Sequence, residues 1–256
     1  MSGKSFSVHV RPDLIQRLPY ALRWTAWLMP LHALLLVWGT WKRQPSPSTQ
    51  FAQWADFVLT DHFLWSHLIA SIGGQTVGMV GVTALTALAV VRGAPIRPAA
   101  VGLLLYLLGS GLMLSGFGVA AFTQPAIGEL HESQPAVATQ LYDAVYGPAA
   151  FVVLLTGLAL FSFSTVATGA ALAASGGVPR WTGRVYAVAG PVFGVVGFLF
   201  GTFQTLGALA LALASATTAI TLNAGHPSDT TDPSRARGTL SQQNTASSDE
   251  APIQPD

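Results

Sequence analysis

Cysteine is absent from all 256 residues. That removes disulfide bridges, thiolate nucleophiles and cysteine-ligated zinc or iron–sulfur centres, leaving histidine and carboxylates as the available metal ligands. Charge is scarce as well: Asp, Glu, Lys and Arg make up 9% of the chain, against about 25% in an ordinary soluble domain. A water-facing surface cannot be covered with so little. Twelve bases against eleven acids leave a formal net charge of +1, so no broad basic field exists to attract nucleic acid. No Walker-type lysine follows Gly176-Gly177 or Gly109-Ser110-Gly111, and neither a nucleophile elbow nor an HExxH pair occurs. What the chain does have is 51% apolar residues, a composition that belongs to an integral membrane protein.

A hydrocarbon core of about 30 Å takes roughly 20 largely apolar residues at about 1.5 Å rise each. Runs of that length predict spans over 20–41, 64–91, 98–122 and 145–174. The first carries Trp24, Trp27, Trp38 and Trp41 near its ends, where indole rings settle at the water–lipid boundary. It is too long, and starts too late, for a cleaved secretory signal, so the N-terminus is expected to stay attached. The uncharged stretch from 184 to 222 would overshoot the membrane as one helix. Gly201, Thr202, Gln204, Thr205 and Gly207 supply turn-capable residues midway, predicting a hairpin between spans 184–203 and 206–222.

Six crossings agree with where the bases fall. Lys4, Arg11, Arg17, Arg23, Arg92, Arg97, Arg180, Arg184, Arg235 and Arg237 lie on one side, and only Lys42 and Arg43 on the other. The positive-inside rule then places both termini in the cytoplasm. The fold expected is an all-α polytopic transmembrane bundle of six spans over 20–222. It is preceded by a cytoplasmic leader over 1–19, partly amphipathic from Asp13 to Arg23, and followed by a disordered, Ser/Thr/Pro-rich cytoplasmic tail over 223–256.

Glycines four apart, Gly74 with Gly78, Gly190 with Gly194 and Gly197 with Gly201, are read as close-packing notches, because small residues let helix backbones approach in lipid. Pro30, Pro148 and Pro191 fall inside or near the ends of spans, where each removes a backbone donor. His32, two residues after Pro30, is the ionisable side chain placed near the bilayer centre. A neutral imidazole there can bond a carbonyl freed by the proline.

The connections opposite the termini carry acid in excess of base: Asp56, Asp61, Glu129, Glu132 and Asp143, with His62, His67 and His131 among them. His67, Ser71, Gln75 and Gly78 recur at helical spacing and predict a polar stripe descending span two. Gln124 from span three, Tyr142, Asp143 and Tyr146 before span four, and Gln204 from the last hairpin could converge with it on an outward-opening pocket. Three readings follow: a network pinning the helix ends, a site that binds or passes a small or lipophilic ligand, and an acid–base site for a lipid-like or isoprenoid substrate. In the last, Asp143 or Glu129 would donate a proton. No cofactor is implied. Metal binding is not expected, since His62 and His67, five apart, would point about 140° away from each other on a helix. The segment from Gln53 to Phe63 alternates aromatic and polar residues and is expected to lie on the outer surface with Trp54, Phe57 and Val58 toward lipid.

Three stretches, 51–81 (FAQWADFVLTDHFLWSHLIASIGGQTVGMVG), 116–147 (GFGVAAFTQPAIGEL to LYDAVYG) and 178–183 (VPRWTG), resemble a widespread group of bacterial multi-pass membrane proteins of unassigned activity, typical of actinobacteria. The resemblance covers the membrane domain but neither terminus. It implies a multi-pass protein of the bacterial plasma membrane and transfers no catalytic residue. The partners expected are the lipid bilayer, a small or lipophilic ligand, and a second copy or another membrane protein. A non-catalytic binding protein is the leading reading, with a structural or regulatory membrane subunit as the further alternative.

Overall fold

A computed structural model describes residues 20–224; the expected leader over 1–19 and the tail from 225 onward lie outside the described residues. The described chain is all-α, with six helices long and apolar enough to cross a membrane. In lipid every backbone polar group must find its partner within the chain, and a helix does this segment by segment. The helices are α1 (Tyr20–Trp41), α3 (Asp61–Val91), α4 (Ile96–Ser133), α6 (Pro148–Ala174), α7 (Arg180–Leu199) and α8 (Thr202–Ala224). Two shorter ones, α2 (Phe51–Val58) and α5 (Pro135–Val145), sit in the connections α1–α3 and α4–α6. Asn223 Nδ2 donates to the backbone carbonyls of Ala219 (2.6 Å) and Arg23 (3.3 Å), so the last span ends beside the start of the first. An even number of crossings puts both ends on one side, and this contact agrees with that.

Several boundaries depart from the sequence reading. The third span continues to Ser133 rather than ending at 122, giving a helix of 38 residues. At about 1.5 Å per residue it is roughly twice the hydrocarbon thickness, so one end projects as a stalk. Pro125 sits inside it and only withholds a donor from one carbonyl. The last hairpin turns four residues earlier than expected. Phe200 leaves helical backbone at φ −133°, ψ 75°, and α8 resumes at Thr202. Gln204, Thr205 and Gly207 therefore belong to α8, and the glycines serve packing: a Cβ on Gly197 would strike Gln204, and one on Gly207 would strike the Phe193 backbone. At the other connections Gly93 (φ 91°) and Gly176 (φ 69°) end α3 and α6 in the left-handed conformation that glycine adopts freely.

Prolines shape the spans as their chemistry requires. The Ala26 carbonyl cannot receive a proton from Pro30 and takes Met29 N–H instead (3.2 Å), so α1 is interrupted at Ala26–Trp27. Pro148 opens α6 at a first-turn position. Pro191 is followed by wider π-helical turns over Val192–Val196. The core holds Met29, Leu85, Leu88, Phe161 and Leu211, all fully buried. Much of the contact is small residue on backbone: a Cβ on Gly109 would lie 2.8 Å from Phe161 N and 2.9 Å from the Gly157 carbonyl.

Candidate functional site

The stalk of α4 carries a cap. Helix α2 lies across it where Gly128 has no side chain, for a Cβ there would meet the Ala55 carbonyl and Val58 at 3.0 Å. Trp54, Val58, Phe63, Ile127 and Ala138 bury each other completely or nearly so. Trp54 and Val58 thus face protein, which corrects the expectation that they face lipid: one apolar stripe serves either purpose, and the projecting stalk offers it a partner. Around Trp54 stands an aromatic layer. Ring centroids lie 5.1 Å apart for Phe51 and Trp54, 5.2 Å for Phe51 and His131, 5.0 Å for Trp54 and Tyr142, and 4.8 Å for Tyr142 and Tyr146. Gln44 Nε2 donates to Gln124 Oε1 at 2.9 Å at the base of this layer. Trp54 Nε1, His131 Nδ1 and the Tyr146 hydroxyl are buried there without a hydrogen bond among the described residues, although the Gln124 amide faces the Tyr146 oxygen.

Burial pushes Tyr146 up to about 12, and burial with the neighbouring Asp143 raises Tyr142. For Tyr146 the sign is clear. Below an ordinary tyrosine pKa near 10, folded and unfolded chains hold the same proton; between there and about 12 only the unfolded chain releases it, so stability is full below the window and is lost across it. Absorbance at 295 nm should show fewer tyrosines ionising at pH 11 in native protein than in denatured protein, because Tyr106 and Tyr186 are also fully buried. Tyr146→Phe should narrow that difference by about one tyrosine and lessen the fall of the melting temperature over the same range.

Deeper in the bundle, a hydrogen-bonded chain joins the first three spans. His32 Nδ1 lies 2.7 Å from the Gly74 carbonyl, which can only accept, so Nδ1 carries a proton and donates it; in the neutral imidazole Nε2 is the acceptor. Its Nε2 then accepts from the Tyr106 hydroxyl at 2.9 Å. Ser110, one turn beyond Tyr106 on α4, approaches the same phenol and accepts from Gln75 Nε2 at 2.8 Å. All four side chains are 0–1% exposed. Gly78 makes the room, since a Cβ there would run into the Tyr106 hydroxyl and the His32 ring. The carbonyl that His32 bonds is on α3, across the helix interface, and not the one released by Pro30 as expected. Gln75 Oε1 has no hydrogen-bond partner among the described residues.

The residues singled out from sequence fall in several places. Gln124, Tyr142 and Tyr146 meet in the cap. Gln75 belongs to the deep chain. His67 and Ser71 lie on a π-helical stretch of α3, Ser66–Gly73, where the His67 ring packs on Phe63 (centroids 4.1 Å) and bonds the Phe63 carbonyl at 3.0 Å, while Ser71 Oγ reaches back to Ser66 O at 3.5 Å. Gln204 packs on Gly197 in the last hairpin. Asp143, Glu129 and Glu132 are exposed. Phe51, Tyr106 and Ser110 join these groups without having been named as site residues, and Trp54 joins them after being read as facing lipid. Only Tyr106 and Ser110 left a readable signal, two polar groups one helical turn apart in an otherwise apolar run.

Open space lies beside the cap. A groove of about 350 Å³ runs between the start of α3 and the stalk, lined by Leu59, Asp61, Leu64, Phe122, Pro125 and Glu129 among others. A second, about 340 Å³, lies near the termini between Leu22 and Thr25 of α1 and Met79, Val80 and Thr83 of α3, and is almost wholly carbon-lined. Among the described residues no three histidines or carboxylates are placed to hold a metal ion. Compared with known proteins, the chain matches no family model, no curated protein and no solved structure.

Proposed function

We propose that this is a non-catalytic membrane protein of the bacterial plasma membrane that binds a lipophilic ligand in the groove beside its cap, with that end facing outward and both termini in the cytoplasm. The observation that carries the reading is the order of groups along the groove. Asp61 opens α3 and Leu64 lies one turn deeper; on α4, Glu129 lies toward the stalk end and Ala121 and Phe122 two turns deeper. Polar groups thus sit on the water side and apolar ones on the hydrocarbon side of a single groove, the division an amphiphile carries. Phe122 is 67% exposed and Leu59 37%, so the groove opens toward lipid and a chain can enter sideways. Asp143 lies on an exposed face of α5 and does not line this groove. The bacterial plasma membrane and the outward orientation rest on the resemblance and on the segregation of bases.

The test is photolabelling of the full chain in lipid nanodiscs with dodecanol bearing a chain diazirine. Peptides covering 58–64 and 121–129 should be labelled about fivefold above the lipid-facing side of α8 around Leu209 and Leu213, equivalent to roughly 1 kcal/mol of preference. Equal labelling of the two regions overturns the reading.

A further inference from the structure

We infer that the groove selects amphiphiles with a cationic head, an alkylamine or aminolipid drawn laterally from the membrane; this rests on the ligand-binding reading above. The argument is one of charge and of what remains free to bind. Two side chains in the groove are ionisable, Asp61 and Glu129, and both are acids. Both are exposed, and neither is joined to a base among the described residues.

The remaining polar group, the Thr60 hydroxyl, is occupied: it accepts from Phe63 N–H at 3.2 Å and donates to the Phe57 carbonyl at 2.7 Å. A head group entering here therefore finds the two carboxylates as the side chains free to bind it. Lys42 lies within electrostatic reach of the neighbouring His62 but does not line the groove. The surroundings reinforce the sign. The cap-end connections hold five carboxylates, Asp56, Asp61, Glu129, Glu132 and Asp143, against Lys42 and Arg43. An anionic head would be repelled, a neutral one indifferent, and an ammonium attracted.

The experiment extends the labelling to three probes that share one diazirine-bearing dodecyl chain and differ in the head: trimethylammonium, hydroxyl and phosphate. The full chain in zwitterionic nanodiscs is labelled at low ionic strength, alongside the double variant Asp61→Asn/Glu129→Gln. Both changes keep the side-chain shape at exposed positions, and an unchanged melting curve will show that the variant folds. The ammonium probe should label 58–64 and 121–129 about tenfold more than the phosphate probe, as expected for two partly exposed charge contacts. The ratio should collapse toward one in the double variant, while the hydroxyl probe is unaffected, and it should shrink in 0.5 M salt as screening shortens to a few Å. Equal groove labelling by the three heads overturns the charge selection and leaves the ligand site standing. An ammonium preference that survives in the double variant overturns it too, by locating the preference elsewhere. Failure of all three probes to label the groove above the α8 side overturns the ligand site itself.

Discussion

Valine in place of Gly183 is expected to pry α7 away from α6 and to be among the most destabilising substitutions in the chain. A Cβ at Gly183 would lie 2.5 Å from both Ala173 N and the Gly169 carbonyl, and one at Gly169 would strike Gly183 and Ala187 in return. The obstructing atoms are backbone, so no side chain can rotate out of the way, and the helices must separate along their length. Inserting carbon into a packed interior costs about 1–3 kcal/mol and more where nothing can yield; with two backbones in the way the upper end is expected. Water supplies no compensating force in lipid, where helix association relies on this close fit. Gly118→Val is the control, since a Cβ at Gly118 meets nothing within 4 Å. Both changes add the same side chain to a transmembrane helix. Unfolding in a mixed-micelle titration should therefore show a large shift for Gly183→Val and a small one for Gly118→Val. Equal shifts would mean that helix propensity, not packing, sets the cost.

The same contrast explains how far the sequence could be read. Glycine spacing announced close approach but not its partner: Gly190 packs on Thr165 and Gly194 on Ser162, pairings settled by how distant segments meet. The six apolar runs, the indole belt of α1 and the one-sided arginines were visible because the bilayer imposes length and charge rules on each segment separately. The stalk was hidden by its own chemistry. Glu129 and Glu132 read as part of a connection beyond the span, yet a helix need not stop where its apolar run does. Trp54 and Val58 could not be oriented because lipid and protein reward the same apolar stripe. His32 was recognisable as an expensive residue in the wrong solvent, but Tyr106 lies 74 residues away and nothing local ties the two together.

Gln75→Leu tests what that buried chain is for. The amide donates one interhelical bond to Ser110 and leaves its oxygen unpartnered. Interhelical hydrogen bonds of this kind in membranes contribute about 0.6 kcal/mol on average and reach about 1.7, whereas a buried acceptor without a partner costs about 1–3. Leucine loses the first and relieves the second at similar volume, so the variant is expected to be as stable as the native protein or more so. Tyr106→Phe provides the opposite sign. It removes the donor to His32 Nε2 without changing the ring, leaves an unpaired acceptor at 0% exposure, and should cost about 1 kcal/mol. Gly78→Val, which crowds both rings at once, should cost more than either. If Gln75→Leu instead destabilises as much as Tyr106→Phe, the amide oxygen has a partner in the membrane and the chain is a closed structural latch. If it stabilises, the fold carries a buried acceptor that it does not need, and that atom becomes the next place to look for a bound hydrogen-bond donor.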